Sequence, residues 1–185
     1  MFMRFNTWFI TSAEKGFTLL ETVIGIVVLA ISFSILTSLI YPFSEQSAEQ
    51  IHQVKAAELA QSMMNEIQNK AFDDNSDMAG GRVRCGEPSA PICSTTMGPE
   101  TDEERETFDD VDDYHGLAYD VGEIENSQGQ LLSLYEGYTM TVTVCNDSDY
   151  DGSCDTNTKT AKMIHVQVTT PMDFTIDFST YRANF

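Results

Sequence analysis

Residues 17–40 form an apolar run in which Glu21 is the one charged side chain. At ~1.5 Å rise per residue, a helix of that length crosses a hydrocarbon core of ~30 Å. A carboxylate at membrane depth costs roughly 2.5–3.5 kcal/mol on insertion scales, so a chain that keeps one has a partner for it. The plainest reading is a signal peptide or signal anchor. Yet "SLIYPF" follows the run, without the small-x-small pattern of a secretory cleavage site. The sharp polar-to-apolar junction lies at the other end, at Lys15, Gly16 and Phe17. A cut after Gly16 would create an α-amine one helical turn from Glu21. Between staggered chains, that carboxylate could neutralise a neighbour's amine and set an axial register.

The rest of the chain is acidic. The formal charge is −19; Arg4, Glu14 and Lys15 sum to +1 before Phe17, which leaves −20 from Phe17 onward. Such a surface repels phosphate backbones and disfavours nucleic acid as a partner. The four cysteines fall in two close pairs, Cys85/Cys93 and Cys145/Cys154, all after the apolar run. With the positive flank of the span inside, they face an oxidising compartment.

The stretch "KGFTLLE", followed by an uncharged apolar helix, resembles the N-terminal signature of type IV pilins and type II secretion pseudopilins. The resemblance implies a leader over 1–16, removed by a prepilin peptidase between Gly16 and Phe17. It further implies N-methylation of Phe17 and a role for Glu21 in assembly, paired with an adjacent subunit's N-terminus. The implied fold is α+β and type IV pilin-like, a long N-terminal helix packed on a small antiparallel sheet.

Along the chain, 17–41 reads as the transmembrane and assembly half of that helix and 42–72 as its amphipathic half. Pro42 removes a backbone donor and should kink or loosen the helix. Beyond it, Ala56, Leu59, Ala60, Met63, Met64, Ile67 and Ala71 recur at three- and four-residue spacing as an apolar stripe. "DDNSDMAGG" should end the helix near Ala71. Residues 73–116 then form an acidic connection with little periodicity, where a Cys85–Cys93 bridge would close a short loop. Asp109, Asp110, Asp112 and Asp113 read as a solvated turn or a helix-capping region, with cation binding as the alternative.

Residues 117–185 carry the period-two pattern of strands. Tyr138, Met140, Val142 and Val144 alternate with threonines; Ile164, Val166 and Val168 share one face, as do Phe174, Ile176 and Phe178. A short earlier strand fits near "GLAYDVGEI", giving three or four antiparallel strands with one buried face. His52, His115 and His165 have no neighbouring ligands in sequence and read as ordinary side chains.

Between two strands lies "CNDSDYDGSCD". Asp147, Asp149, Asp151 and Gly152 follow the D-x-D-x-D-G opening of a calcium loop, with Ser153 and Asp155 at further ligand positions. The closing bidentate Glu is missing: Thr158 stands there. Two readings stand, calcium held by these oxygens or an acidic hairpin tip held by a Cys145–Cys154 bridge alone. No cofactor is required by any other motif.

No nucleophile elbow, zinc-protease helix or phosphate-cradling loop occurs, so the chain reads as a substrate of an enzyme and not as an enzyme. The segments "AAELAQSMMNEI", "KAFDDNSD", "GGRVRCGE" and "FDDVDDYHG", within 56–116, resemble the MshD group of minor pilins in the mannose-sensitive haemagglutinin (MSHA) pilus system. That resemblance implies a low-abundance pilus subunit used in biogenesis and surface attachment. It would wait in the inner membrane with its acidic domain outside, then join other pilin subunits in an extracellular filament. A type II secretion pseudopilin and a tip adhesin are the alternatives. The one Trp, Trp8, lies in the leader, so a Trp-lined sugar platform is absent.

Overall fold

The computed structural model describes residues 16–77 and 83–185, with side chains left aside at 41–45. The expected leader, apart from Gly16, and part of "GGRVRCGE" therefore lie outside the described residues. Helix α1 runs Leu19–Gln68, and its helical backbone continues through Pro42, which the sequence alone marked as a kink or loosening. The chain divides into two compact units, 1–46 and 47–185.

In the first unit, the 22 residues Leu19–Ile40 are apolar and long enough to cross a membrane, and none is buried by the protein itself. The hydroxyls of Ser32 and Thr37 donate back to Val28 O and Phe33 O at 2.8 and 2.9 Å, so these hydroxyls are satisfied within the helix itself. That self-sufficiency is what a hydrocarbon environment demands.

In the second unit, the remainder of α1 packs on a four-stranded antiparallel sheet ordered β1-β2-β3-β4: Ala118–Tyr119, Thr139–Asn146, Ala161–Thr169 and Thr175–Ala183. β2 and β3 are fully registered, with Val142 opposite Val166 and Val144 opposite Ile164. Ala56, Leu59, Ala60, Met63, Met64 and Ile67 of the helix share one core with Met140, Val142, Val144, Ile164, Val166 and Val168 of the sheet. The α+β architecture, a long helix with a small antiparallel sheet, is therefore what the patterns and the resemblance imply. The helix stops at Gln68, and Ala71 instead bridges to Asp110.

β4 is one of the two edge strands, and this modifies one expectation. Ile176 and Phe178 are only half-buried against the core, and Phe174, just before the strand, is 39% exposed. The core above them belongs to β2 and β3, so alternation at an edge gives a half-covered face.

The acidic connection holds the main correction. Asp110, Asp112 and Asp113 are not solvated; they are buried, together with Asp73, and Asp109 alone of the four stays exposed. Asp110 Oδ1 accepts the amides of Asp112 and Asp113 at 2.8 and 3.3 Å, and Asp110 Oδ2 accepts that of Asp74 at 2.7 Å. Asp113 Oδ2 accepts the amides of Asp109 and Asp110 at 2.8 and 3.0 Å. The capping half of the expectation thus describes this turn: carboxylates replace the missing backbone acceptors around the 3-10 turn Asp112–Tyr114. A buried cation balances part of the charge. Lys162 Nζ contacts the Asp112 carboxylate and lies 2.6 Å from Phe72 O, 3.5 Å from Asp73 Oδ2 and 4.7 Å from the Phe72 ring centre.

Candidate processing and assembly site

At the N-terminal end, Gly16 to Thr18 precede the helix and Phe17 is 82% exposed. Thr18 caps α1: its Oγ1 accepts the Glu21 N–H at 3.2 Å, and its carbonyl accepts the Thr22 N–H at 3.2 Å. Thr18 and Glu21 stand in the S/T-x-x-E spacing of a capping box. This role of Thr18 was readable in that spacing, although the composition of the run draws attention away from it. Glu21 sits exposed in the first helical turn, where the positive end of the helix dipole favours a carboxylate. An amine on Phe17 would add a second positive charge at the same end. Phe17, Glu21 and Gly25 follow at i, i+4 and i+8 and, with Thr22, Ile26 and Leu29, line one shallow groove along the helix. A Cβ built on Gly25 meets nothing within 4 Å, so the groove is open at its middle.

The cysteines pair locally. Cys85 bonds Cys93 and Cys145 bonds Cys154, with Cα–Cα distances of 4.8 and 5.6 Å. The first bridge is buried with Phe72 in a small second core. Asn184 ties it to the end of β4 by donating to Cys85 O at 3.1 Å and Lys159 O at 3.0 Å.

The second bridge closes the acidic turn after β2. Asp147 is buried; its Oδ1 accepts the Asp151 N–H at 3.2 Å, and its Oδ2 accepts the Gly152 N–H at 2.9 Å and the Tyr181 hydroxyl at 2.8 Å. Burial opposes the charge, but the Tyr181 hydroxyl and these amides outweigh it and hold the Asp147 carboxyl below its usual range. The hydroxyl and amide of Ser148, both on Oδ2, do the same for Asp155. Gly152 takes φ +84°, the left-handed bend expected of it. One carboxylate oxygen each of Asp147, Asp149 and Asp155 lies within 4.8 Å of the others. Asp151 does not join that group of carboxylates; its Oδ1 accepts the Ser153 N–H at 2.8 Å.

The histidines take modest structural parts. His52 Nδ1 lies 2.6 Å from the Tyr138 hydroxyl, and His115 Nδ1 accepts the Val144 N–H at 3.3 Å.

Neither a curated protein nor a solved structure matches the chain. Residues 11–37 match the family model of the prokaryotic N-terminal methylation motif, and this match around Gly16, Phe17 and Glu21 supports a type IV pilin or pseudopilin subunit that is processed by a prepilin peptidase and assembles with other pilins.

Proposed function

We propose that the chain is a minor type IV pilin of an MSHA-type pilus, cut between Gly16 and Phe17, methylated at Phe17 and placed in the filament through Glu21. The observation that carries this reading is the Thr18-capped helix start, with one carboxylate in its first turn and an otherwise uncharged, wholly exposed apolar span behind it. In the membrane, Glu21 at the helix end is the one charge of the span without an ion pair among the described residues. Beside a neighbour's Phe17 amine it gains a partner, and the apolar helix moves from one dry environment to another, so little hydrophobic energy is lost. The second unit stays outside the membrane as the exposed domain.

The test is Glu21→Ala with counting of surface fibres. A minor subunit that starts or continues filaments should then give fewer fibres, and an unchanged count contradicts the assembly role. The alternative, a pseudopilin of a type II secretion machine, shares every N-terminal feature. Co-purification with sheared surface fibres supports the pilus reading, and co-purification with a secretin-linked complex supports the alternative.

For the turn at 145–155, we propose calcium as the ligand class. Asp149 has no hydrogen bond within the turn, and one oxygen of Asp147 and one of Asp155 each take a single amide, so lone pairs remain on three carboxylates. Calorimetric titration of the whole chain in detergent should show binding heat that Asp149→Ala with Asp151→Ala reduces; the same heat in that variant refutes this assignment.

A further inference from the structure

A second acidic group lies away from that turn, in the connection between α1 and β1. One carboxylate oxygen from each of Glu100, Glu103 and Asp113 lies within 4.8 Å of the other two. The three come from two places in the chain. Glu100 and Glu103 belong to one turn, closed by the Glu103 N–H to Glu100 O at 3.1 Å and the Glu100 N–H to Glu103 Oε2 at 3.3 Å. Asp113 belongs to the buried 3-10 turn.

Asp113 is the informative member. Only 1% of it is exposed, and both amides that reach it go to Oδ2. Its other oxygen, Oδ1, is buried and meets no hydrogen-bond donor. A buried carboxylate oxygen without a donor forfeits its hydration for nothing, which native structures avoid. The side chains that meet the Asp113 carboxylate in this cluster are two more carboxylates, those of Glu100 and Glu103. Asp74 and Asp109 add to the local negative charge, which Lys70 opposes at Asp109. Lys162, the buried cation of this region, is committed to Asp112, Asp73 and Phe72 O and leaves Asp113 unpaired.

We propose that Glu100, Glu103 and Asp113 form a divalent-cation site of the calcium class, in which the ion takes the unpartnered Asp113 oxygen and clamps the turn at 100–103 onto the 3-10 turn. Hard oxygen donors alone, three of them charged, suit calcium and exclude the softer metals that prefer sulfur or imidazole. Glu100 is exposed, so the ion has an open approach and room for water on its remaining positions. The site is separate in residues and in ligand set from the turn at 145–155, and it does not depend on the pilus reading.

The experiment uses the full chain in detergent, stripped by a chelator and carrying Asp149→Ala and Asp151→Ala so that the other turn is silent. Calorimetric titration with calcium chloride should show one binding event, and calcium should raise the thermal midpoint. Adding Glu100→Gln and Glu103→Gln should weaken that binding by more than about tenfold. The Gln variant should stay folded without calcium, since its substitutions remove like-charge repulsion, and circular dichroism checks this. No heat with the parent chain overturns the proposal, and so does equal affinity in the folded Gln variant.

Discussion

Lys162 and Asp112 meet out of solvent, one from the third strand and one from the connection that follows the helix, with their side chains 0% and 1% exposed. The pair anchors the long acidic connection to the sheet. It is also outnumbered, because Asp73, Asp110 and Asp113 are buried beside it. Removing one partner of a buried pair leaves an uncompensated charge. Lys162→Met should therefore destabilise the domain by about 3–5 kcal/mol, measured by denaturant unfolding. A loss below about 1 kcal/mol would mean that the carboxylates already carry protons without the lysine.

The same cluster sets a pH dependence. Burial, then the hydrogen bond and charge of Asp112, push the Asp110 carboxyl up to about 9, against the pull of Lys162; Asp113 adds to the rise. A carboxyl of raised native pKa binds its proton more tightly when folded. Its contribution is fully present below the unfolded value near ~4 and is lost as pH rises toward the native one. The thermal midpoint should fall steadily between about pH 5 and 9. Asp147 and Asp155, whose carboxyls are lowered, act in the other direction only further into acid. A midpoint that rises across the alkaline half of that window would contradict the buried, protonated Asp110.

Arg105 ties the connection to the helix as well. Its Nη2 lies 2.6 Å from Glu66 Oε1, off the direction of a good hydrogen bond, while its Nε donates to the Tyr119 hydroxyl at 3.0 Å. The guanidinium also stacks over Phe108 and Tyr114 at 5.7 and 5.2 Å, and Tyr114 donates its hydroxyl to Glu66 at 2.8 Å. A double-mutant cycle of Glu66→Gln and Arg105→Met should give a coupling of roughly 1–3 kcal/mol. Arg105→Lys should not rescue the single variant, because a point charge cannot fill the planar, stacked site. Simple additivity of the two changes would refute the coupling.

The Cys85–Cys93 bridge closes a loop with sequence separation 8 and seals the small core on Phe72. Replacing both cysteines by serine should cost about 2–3 kcal/mol on the chain-entropy view. The measured quantity is the denaturant midpoint of the variant against the oxidised parent. An unchanged midpoint would show that the Asn184 contacts hold the loop without the bond.

Much of this fold was legible because its signals are periodic. The stripe from Ala56 to Ile67 and the alternation around Val142 and Val166 each name a buried face before any coordinates are seen, and both faces meet in one core. The uncharged span and Glu21 were legible for the same reason, as a break in an otherwise uniform pattern. The acidic connection was not. Asp110, Asp112 and Asp113 look like solvated residues in sequence, and what buries them is Lys162, about fifty positions away, together with backbone amides that no pattern announces. The helix was expected on both sides of Pro42; that its backbone stays helical through the proline was not legible, because a proline disfavours a helix locally without forbidding it. The half-covered β4 face was missed because alternation does not say which strand lies at the edge.

The central claim is that the chain is cut between Gly16 and Phe17 so that Glu21 can meet a free amine in a filament. Intact-mass and N-terminal fragment analysis of the protein recovered from its native cell tests this most directly. The mature chain should begin at Phe17 and carry a methyl group on its α-nitrogen. A mature chain that keeps residues 1–16, or begins after the apolar run, would contradict it.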